Sequence, residues 1–395
     1  MRHRLSASTA AAAIAFTLSL LLPPALGAAA DTLPASLSDR EFWSLTEQLS
    51  EPGGSFQSDN LLSNEMGLST VAAALAFRVK PGGVYLGVGP EQNFTYIAAI
   101  RPRMVFITDI RRGNLHLHLM YKALFELSAD RAEFVSRLFT KPRPAGLSAT
   151  STASDLLNAY WDVPTSDETA YQANLQAIKD RLVKTHGFPL SPDDLAGVEY
   201  VYRQFYWYGP AINYTSSTSG RWGGTSTYGD LMITTDAMTG AERSYLASED
   251  NFTFLKTLES KNLIVPLVGD FAGPKALRAV GAWLKSRDAV VTAFYLSNVE
   301  SYLGRNGVWP AFCANVASMP LDEASSFIRP GMGGATIRFS VPSGTNTVPP
   351  ASAAQIQQLL AQRTVVLGHG GVAGTAGRGS PFGAMATETA NCAGK

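Results

Sequence analysis

Cysteine is nearly absent from this sequence, since Cys313 and Cys392 are the only 2 among 395 residues. Two cysteines are too few for a Cys-rich zinc site or for a small fold held together by several disulfides. In an oxidising compartment they would be able to form one disulfide, and otherwise they stay as free thiols. The sequence leaves both possibilities open.

An excess of charge of either sign is also missing, with 32 basic and 32 acidic residues. No strongly basic surface is therefore expected for nucleic acid or for anionic lipid. The G-x-S-x-G pattern of an α/β-hydrolase nucleophile does not occur, which argues against that class of serine hydrolase. We expect a small-molecule ligand, and the oligomeric state stays open.

The N-terminus has the order of a secretory signal peptide. Basic residues precede an uncharged apolar stretch that ends at Leu22, and two prolines and several small residues follow. The strongly apolar part is shorter than the ~20 residues that a membrane span needs. Residues 1–30 are therefore predicted to be a cleavable Sec-type signal, cut between Ala28 and Asp31. The mature protein, with a charge near −2 once two arginines are removed, is expected in the periplasm or outside the cell without a stable membrane anchor.

Residues 31–140 are predicted to contain N-terminal helices and the first half of an α/β core. A capping box at Ser38 and Glu41 predicts a helix that continues to Leu49. A second apolar helix is predicted over 69–78, because Lys80-Pro81-Gly82-Gly83 stops the pattern.

The passage from Val84 to Leu127 alternates strands and helices. An apolar strand from Val84 leads into a Gly-x-Gly turn and a helical stretch that ends near Ile100. A second strand over 104–109 is followed by a helix over 114–127. This order is the opening of a doubly wound parallel sheet.

Residues 141–229 interrupt this alternation. Loop-like sequence over 141–154 precedes helical, aromatic-rich sequence over 155–213, and six of the nine residues over 200–208 are aromatic. Such a cluster either packs an inserted element onto the sheet or lines a pocket. We predict an inserted helical cap over the strand ends.

The strand and helix pattern returns over 230–345. Strands are predicted at 231–235, 263–268 and 289–296, with a helix over 274–286. Residues 346–395 are predicted to contain a C-terminal helix and a Gly- and Ala-rich tail. The predicted fold class is α/β, a doubly wound Rossmann-like sheet with an inserted aromatic-rich cap.

Two glycines and an acid lie where such sheets bind nucleosides. Gly87 and Gly89 follow the first strand, and Asp109 ends the second. Glycine lets the backbone approach a ligand closely, and an acid at that strand end accepts hydrogen bonds from ribose hydroxyls. The alternative is a purely structural glycine turn with a helix-capping aspartate.

Residues 84–127 and 231–303 resemble the nucleotide-binding core of class I S-adenosylmethionine-dependent methyltransferases. The resemblance implies that Gly87 and Gly89 face the amino-acid part of S-adenosylmethionine and that Asp109 holds its ribose. A residue after the third strand, Glu249 or Asp250, would face the adenine. Asp270, after the fourth strand, would be the catalytic residue beside the transferred methyl group.

This sequence departs from the methyltransferase pattern at several positions. Tyr85 stands where the family usually has an acid, Glu91 stands in place of a third glycine, and Phe-Ala-Gly-Pro follows Asp270. We include Glu91 and Asn93 in the predicted cofactor-binding set. The segments GVGPEQNF and VGDFAGPKALR also resemble an uncharacterised family of exported bacterial proteins. No activity can be carried over from that family.

Three functions remain after these considerations. The first is a methyltransferase that uses S-adenosylmethionine, although that cofactor is cytosolic and the chain is predicted to be exported. The second is a repurposed ligand-binding protein with the same fold. The third is an enzyme of another class that uses Asp109, Asp270 and Glu300 as acids or bases at the strand ends. No metal is expected, because His116 and His118 lack the i, i+4 spacing of a helical zinc site.

Overall fold

The computed structural model describes residues 32–217, 226–329, 337–339, 365–367 and 381–392. The predicted signal peptide, its cleavage site and most of the predicted C-terminal helix and tail lie outside these residues. The helices are α1 (Asp39–Leu49), α2 (Leu68–Arg78), α3 (Gln92–Ile100), α4 (Arg112–Leu127), α5 (Arg131–Phe139), α6 (Ala153–Trp161), α7 (Glu168–Asp180), α8 (Pro192–Tyr208), α9 (Tyr228–Met232), α10 (Glu249–Ser260), α11 (Ala276–Lys285), α12 (Val299–Arg305), α13 (Trp309–Ala317) and α14 (Met385–Thr389). Among them there is no helix with the length and hydropathy of a membrane span.

A six-stranded sheet forms the centre of the molecule. The strands are β1 (Val84–Gly87), β2 (Met104–Asp109), β3 (Ile264–Val268), β4 (Val291–Tyr295), β5 (Ser326–Ile328), β6 (Ile337–Phe339), β7 (Val365–Leu367) and β8 (Phe382–Ala384). Their order in this sheet is β3-β2-β1-β4-β5-β8, while β6 and β7 form a separate antiparallel pair. The first five strands of the large sheet are parallel and β8 is antiparallel to β5. The protein is therefore α/β with a mostly parallel sheet, consistent with a Rossmann-like fold.

The central strands are buried on both faces. Every residue of β1, β2 and β3 is buried, as expected for parallel strands that helices cover. Helices α4 and α11 both pack on this part of the sheet. The β-α-β-α order predicted from Val84 to Leu127 is confirmed, and so is α1 with its capping box at Ser38.

The strand predicted at 231–235 is wrong. Thr227 and Asp230 form a capping box, and the chain is helical over α9 instead. The apolar residues Leu231 and Met232 are buried as part of that helix. The third strand in the chain is therefore β3 and the fourth is β4, which shifts every assignment based on strand number.

Five of the six aromatic residues over 200–208 divide into a buried and an exposed group, and Tyr206 is partly buried against the core. Tyr202 and Phe205 are buried where α8 packs against α4 and α5. Tyr200, Trp207 and Tyr208 are 45%, 67% and 42% exposed. The inward face of α8 therefore packs on helices α4 and α5, and none of these aromatic residues lines the cavity at the carboxyl edge of the sheet.

The two cysteines form a disulfide. Cys313 lies in α13, Cys392 follows α14, and their Cα atoms are 5.6 Å apart. The bond closes a separation of 79 residues. It thereby fastens the segment that contains β8 to the core of the fold.

Candidate functional site

A cavity of about 200 Å³ lies at the carboxyl edge of the parallel strands. The ends of four adjacent strands contribute Gly89, Asp109, Asp270 and Ser297 to its wall. The loop between α1 and α2 covers it with residues that include Phe56 and Asn64. Ligands of doubly wound sheets bind at this edge, because the loops there leave a crevice. The enclosed volume is smaller than the roughly 300 to 1,000 Å³ of typical ligand pockets.

The structure brings together three of the predicted site residues. Gly89, Asp109 and Asp270 line the cavity, and Gly87 does not. The remaining predicted residues lie elsewhere. Glu91 and Asn93 are completely buried beneath the loop, and Glu249 and Asp250 begin α10.

Gly87 makes room for a side chain of the protein itself. A Cβ atom at Gly87 would lie 1.9 Å from Oδ1 of Asn93. The Asn93 amide donates to the carbonyl oxygens of Val88 at 2.9 Å and Pro90 at 2.7 Å, and its Oδ1 accepts from the Tyr85 hydroxyl at 2.8 Å. The loop after β1 is thus held by an internal amide where the methyltransferase resemblance expects the cofactor.

Gly89 is required by backbone geometry. Its φ of +75° lies in the left-handed region that side chains rarely adopt. Its carbonyl oxygen accepts a hydrogen bond from Nε2 of His118 at 2.9 Å. Burial lowers the pKa of His118 to about 4, so the imidazole is neutral and braces the turn.

Asp109 is paired with an arginine of the same chain. Arg111 donates from Nε to Oδ1 at 2.9 Å and from Nη2 to Oδ2 at 2.7 Å, and its backbone N–H also donates to Oδ1. The Arg111 guanidinium further donates to the carbonyl oxygens of Ser58 and Asp59 in the covering loop. Three donors therefore already occupy the carboxylate that was predicted to hold a ribose.

Asp270 follows β3, the third strand, and not the fourth as predicted. Its Oδ1 accepts from the backbone N–H of Ala272 at 2.9 Å, a local turn at the cavity wall. In a methyltransferase-like site this position would face the adenine. The place after the fourth strand, predicted to be catalytic, belongs to Ser297 and Asn298.

The acids predicted at the adenine position and Glu300 have partners away from the cavity. Glu249 pairs with Arg131 at 3.3 Å, and Asp250, whose side chain is 83% exposed, pairs with Arg101. Because 231–235 is not a strand, these two acids precede the third strand, at the start of α10, and do not follow it as predicted. Glu300 forms a two-point ion pair with Arg329 and does not line the cavity.

A buried acid that the sequence did not indicate lies beneath the cavity wall at the end of β4, which we call the β4 side of the cavity. Oε1 of Glu65 accepts hydrogen bonds from the hydroxyls of Tyr295 at 2.7 Å and Ser297 at 2.9 Å. Its Oε2 accepts from the Gln92 amide at 2.7 Å. Burial raises the pKa of Glu65 against the effect of these donors. Within the described residues, Glu65 forms no ion pair.

Glu91 is a second buried acid near the cavity. Its carboxyl oxygens accept from the backbone N–H of Ser63 at 3.3 Å. Burial raises its pKa to about 8, and the charge of Glu65 acts in the same direction. Glu91 is therefore largely protonated at neutral pH and does not present a charge to a cofactor.

The two histidines considered as ligands point to different partners. His118 contacts the loop after β1, whereas Nε2 of His116 lies 2.8 Å from Oδ1 of Asp194. Arg112 also holds Asp194, through two hydrogen bonds. Both histidines are thus built into separate structural contacts within the part of the chain described here.

Sequence reasoning missed Arg111, Glu65, Tyr295 and Ser297. Arg111 lies only two residues after Asp109, and an i, i+2 acid and base pair at a strand end was a readable signal. Ser297 follows a correctly predicted strand at the same edge of the sheet. Glu65 lies in a loop, and nothing in its neighbourhood marks it.

Comparison with known proteins supports the family and leaves the activity open. No curated protein matches the chain. A family model described as a domain of unknown function (DUF7790) matches residues 61–186 and 228–362, about two thirds of the chain. The match includes all five parallel strands and most of the cavity wall, and it omits 187–227, where α8 lies. The protein therefore belongs to the DUF7790 family.

Proposed function

We propose that this protein binds a compact, ring-containing, hydroxylated molecule of the nucleoside class at the carboxyl edge of its sheet. The observation that carries the proposal is the meeting of four strand ends, at Gly89, Asp109, Asp270 and Ser297, around one cavity. A doubly wound sheet uses this place for ligands.

The chemistry of the wall supports a neutral polar ligand with a flat ring. Aromatic side chains contribute apolar faces, and hydroxyl and amide groups supply hydrogen bonds in both directions. The aromatic residues are Phe56, Tyr214, Phe271, Tyr295 and Tyr302, and the hydroxyl and amide residues include Ser55, Asn60, Ser63, Asn64, Thr108, Ser297, Asn298 and Asn306. Because Arg111 is already paired with Asp109, a strongly anionic ligand is disfavoured.

The disulfide supports function outside the cytosol. Disulfides persist in oxidising compartments, and the Cys313–Cys392 bond agrees with the predicted signal peptide and a periplasmic or secreted location. A cytosolic cofactor such as S-adenosylmethionine is scarce there. A repurposed binding site on a methyltransferase-like fold therefore accounts for both observations.

A methyltransferase is the second candidate, because Gly89, Asp109 and Asp270 do share one cavity and the strand order begins 3-2-1-4-5. Three features weigh against S-adenosylmethionine. Arg111 occupies Asp109, Asn93 fills the space beside Gly87, and the cavity encloses only about 200 Å³. The cofactor would fit only if the covering loop moved.

Calorimetric titration with adenosine, S-adenosylmethionine and S-adenosylhomocysteine tests these proposals. We expect adenosine to bind and Asp270→Ala to weaken binding about 10- to 100-fold, since a hydrogen bond to a charged group contributes ~1.5 to 3 kcal/mol. Asp250→Ala is the matched control, because that acid is exposed and outside the cavity. It should leave the affinity unchanged.

The three ligands separate the candidates. Binding of adenosine without S-adenosylmethionine would support the repurposed site. Tight binding of S-adenosylmethionine with methyl transfer to an acceptor would establish the second candidate instead. No heat from any of the three at millimolar concentration would refute the nucleoside class.

A further inference from the structure

Ser297 occupies an unusual position in the cavity wall. It lies in the turn between the end of β4 at Tyr295 and the start of α12 at Val299. Its φ is +46°, in the left-handed region that a residue other than glycine rarely adopts. Such strain persists where the surrounding structure imposes it, and it is concentrated at functional sites.

The contacts of Ser297 join its hydroxyl to a buried acid. The Oγ atom lies 2.9 Å from Oε1 of Glu65, and the Tyr295 hydroxyl lies 2.7 Å from the same oxygen. Gln92 holds the other carboxyl oxygen at 2.7 Å. Glu65 is thus fixed from three sides, while Ser297 is partly exposed and faces the cavity.

We propose that Ser297 is a nucleophile and Glu65 its general base, so that the cavity hydrolyses an ester of a small molecule. The inference rests on the cavity of the proposed function and adds a reaction to it. A serine on a strained turn from strand to helix presents its Oγ at the carboxyl edge of a sheet, which is the geometry that a serine nucleophile needs. Ser297 lacks the flanking glycines of the hydrolase pattern.

The reaction balances without a cofactor. The Ser297 Oγ forms a bond to the ester carbonyl carbon as its proton moves to the Glu65 carboxylate. The tetrahedral intermediate expels the alcohol, which takes that proton, and an acyl-serine remains. Water then attacks the acyl group, gives a proton to Glu65 and releases the acid, and the proton returns to Ser297. Asn64 and Asn298 line the same cavity and offer amide N–H groups to the oxyanion.

The environment of Glu65 strengthens its carboxylate as a base. Burial raises the pKa of its carboxyl group, which makes the carboxylate a stronger base than an exposed glutamate. The hydrogen bonds from Tyr295 and Gln92 keep it oriented toward Ser297. A purely structural cross-link between the loop and β4 would have the same contacts and no reactivity.

Covalent labelling distinguishes these two roles. An alkyl fluorophosphonate forms a phosphorus to oxygen bond with an activated serine and releases fluoride, and peptide mass spectrometry locates the label. We expect the label on Ser297, its loss in Ser297→Ala, and a labelling rate about 100-fold lower in Glu65→Gln. Ser301→Ala is the matched control, because Ser301 is an exposed serine on α12, and it should label at the wild-type rate.

The pH dependence of labelling gives the second measurement. The rate in the wild type should rise with pH as Glu65 ionises, and the rise should disappear in Glu65→Gln. If Glu65→Gln unfolds, Ser297→Ala serves as the folded control that cannot be labelled at this position, because it retains the Tyr295 and Gln92 contacts of Glu65. In that case, a wild-type labelling rate that does not rise with pH refutes the role of Glu65.

Labelling and ligand binding fail independently. Adenosine binding without a label on Ser297 would overturn this inference and leave the proposed binding function intact. A label on Ser297 without adenosine binding would support the inference and refute the nucleoside class as ligand.

Discussion

The two sides of the cavity hold their acids in different ways. On the β2 side, Asp109 is neutralised by Arg111 through two hydrogen bonds between the side chains. On the β4 side, Glu65 is held by two hydroxyls and an amide. The first arrangement compensates the negative charge of the acid with a positive one. The second holds Glu65 only through uncharged donors, so its carboxylate charge is not compensated.

This difference indicates which side of the cavity leaves polar groups available for the proposed ligand. On the β1 and β2 side, other residues of the chain already contact the two positions that a methyltransferase-like site would use. Asn93 fills the space at Gly87, and Arg111 is paired with Asp109. The groups still available to a ligand are on the β3 and β4 side, at Asp270 and Ser297. The sheet is thus consistent with a Rossmann-like fold, while the polar groups still available lie on the β3 and β4 side of the cavity.

The largest expected effect comes from breaking the compensated side. Arg111→Ala leaves Asp109 buried without its partner, and an uncompensated buried charge costs ~3 to 5 kcal/mol of the free energy of unfolding. It also removes the donors to the carbonyl groups of Ser58 and Asp59, so the covering loop should loosen. Chemical denaturation of Arg111→Ala measures the loss.

The double variant Asp109→Leu/Arg111→Met is the control for this prediction. Replacing both members of a buried ion pair by apolar groups is often close to neutral, so the double variant should be more stable than Arg111→Ala alone. A double variant that is no more stable than Arg111→Ala would mean that the pair is not coupled. The comparison between the two sides would then fail.

A smaller loss is expected at Gly87. Gly87→Ala places a Cβ atom 1.9 Å from Oδ1 of Asn93 and must displace the amide that fastens the loop after β1. We expect a loss of ~1 to 3 kcal/mol, the usual cost of overpacking. Gly113→Ala is the matched control because nothing lies within 4 Å of its Cβ position in α4. It should be neutral or stabilise by up to ~1 kcal/mol. Equal effects of the two variants would contradict the close packing described at Gly87.

Local signals in the sequence predicted much of the fold. The order from Val84 to Leu127 was predictable because each strand and helix has its own apolar pattern and is bounded by Gly or Pro. The apolar run at 231–235 gave a wrong prediction, since hydrophobicity alone does not separate a short strand from a short buried helix. The Thr227 and Asp230 capping box was the decisive local signal.

The site was predictable only where it coincides with strand ends. Gly89, Asp109 and Asp270 lie at such ends and do line the cavity. Glu65 and Tyr295 are 230 residues apart, and their contact depends on how the loop before α2 folds over the sheet. No spacing rule connects residues at that separation, so the sequence could not predict that Glu65 lies on the β4 side of the cavity.

The pH dependence of stability that Glu91 causes tests the contrast between compensated and uncompensated acids. Its folded-state pKa of about 8 lies above the ordinary value of 4.5. Below pH ~4.5 the folded and unfolded states both bind the proton, so Glu91 does not change stability there. Between about 4.5 and 8 only the unfolded state releases it, and the free energy of unfolding falls by up to ~1.4 kcal/mol for each pH unit. Above ~8 both states are ionised, and the contribution is constant again.

Glu91→Gln removes this titration while it keeps the size of the side chain. Subtracting the wild-type free energy of unfolding from that of the variant at each pH cancels the titration of groups that both proteins share, such as His118. The difference should grow in favour of the variant from pH ~4.5 to 8 and then level off, as measured by urea denaturation across that range. A difference that stays flat would mean that Glu91 ionises near its ordinary pKa, and that the acid beneath the loop is compensated after all.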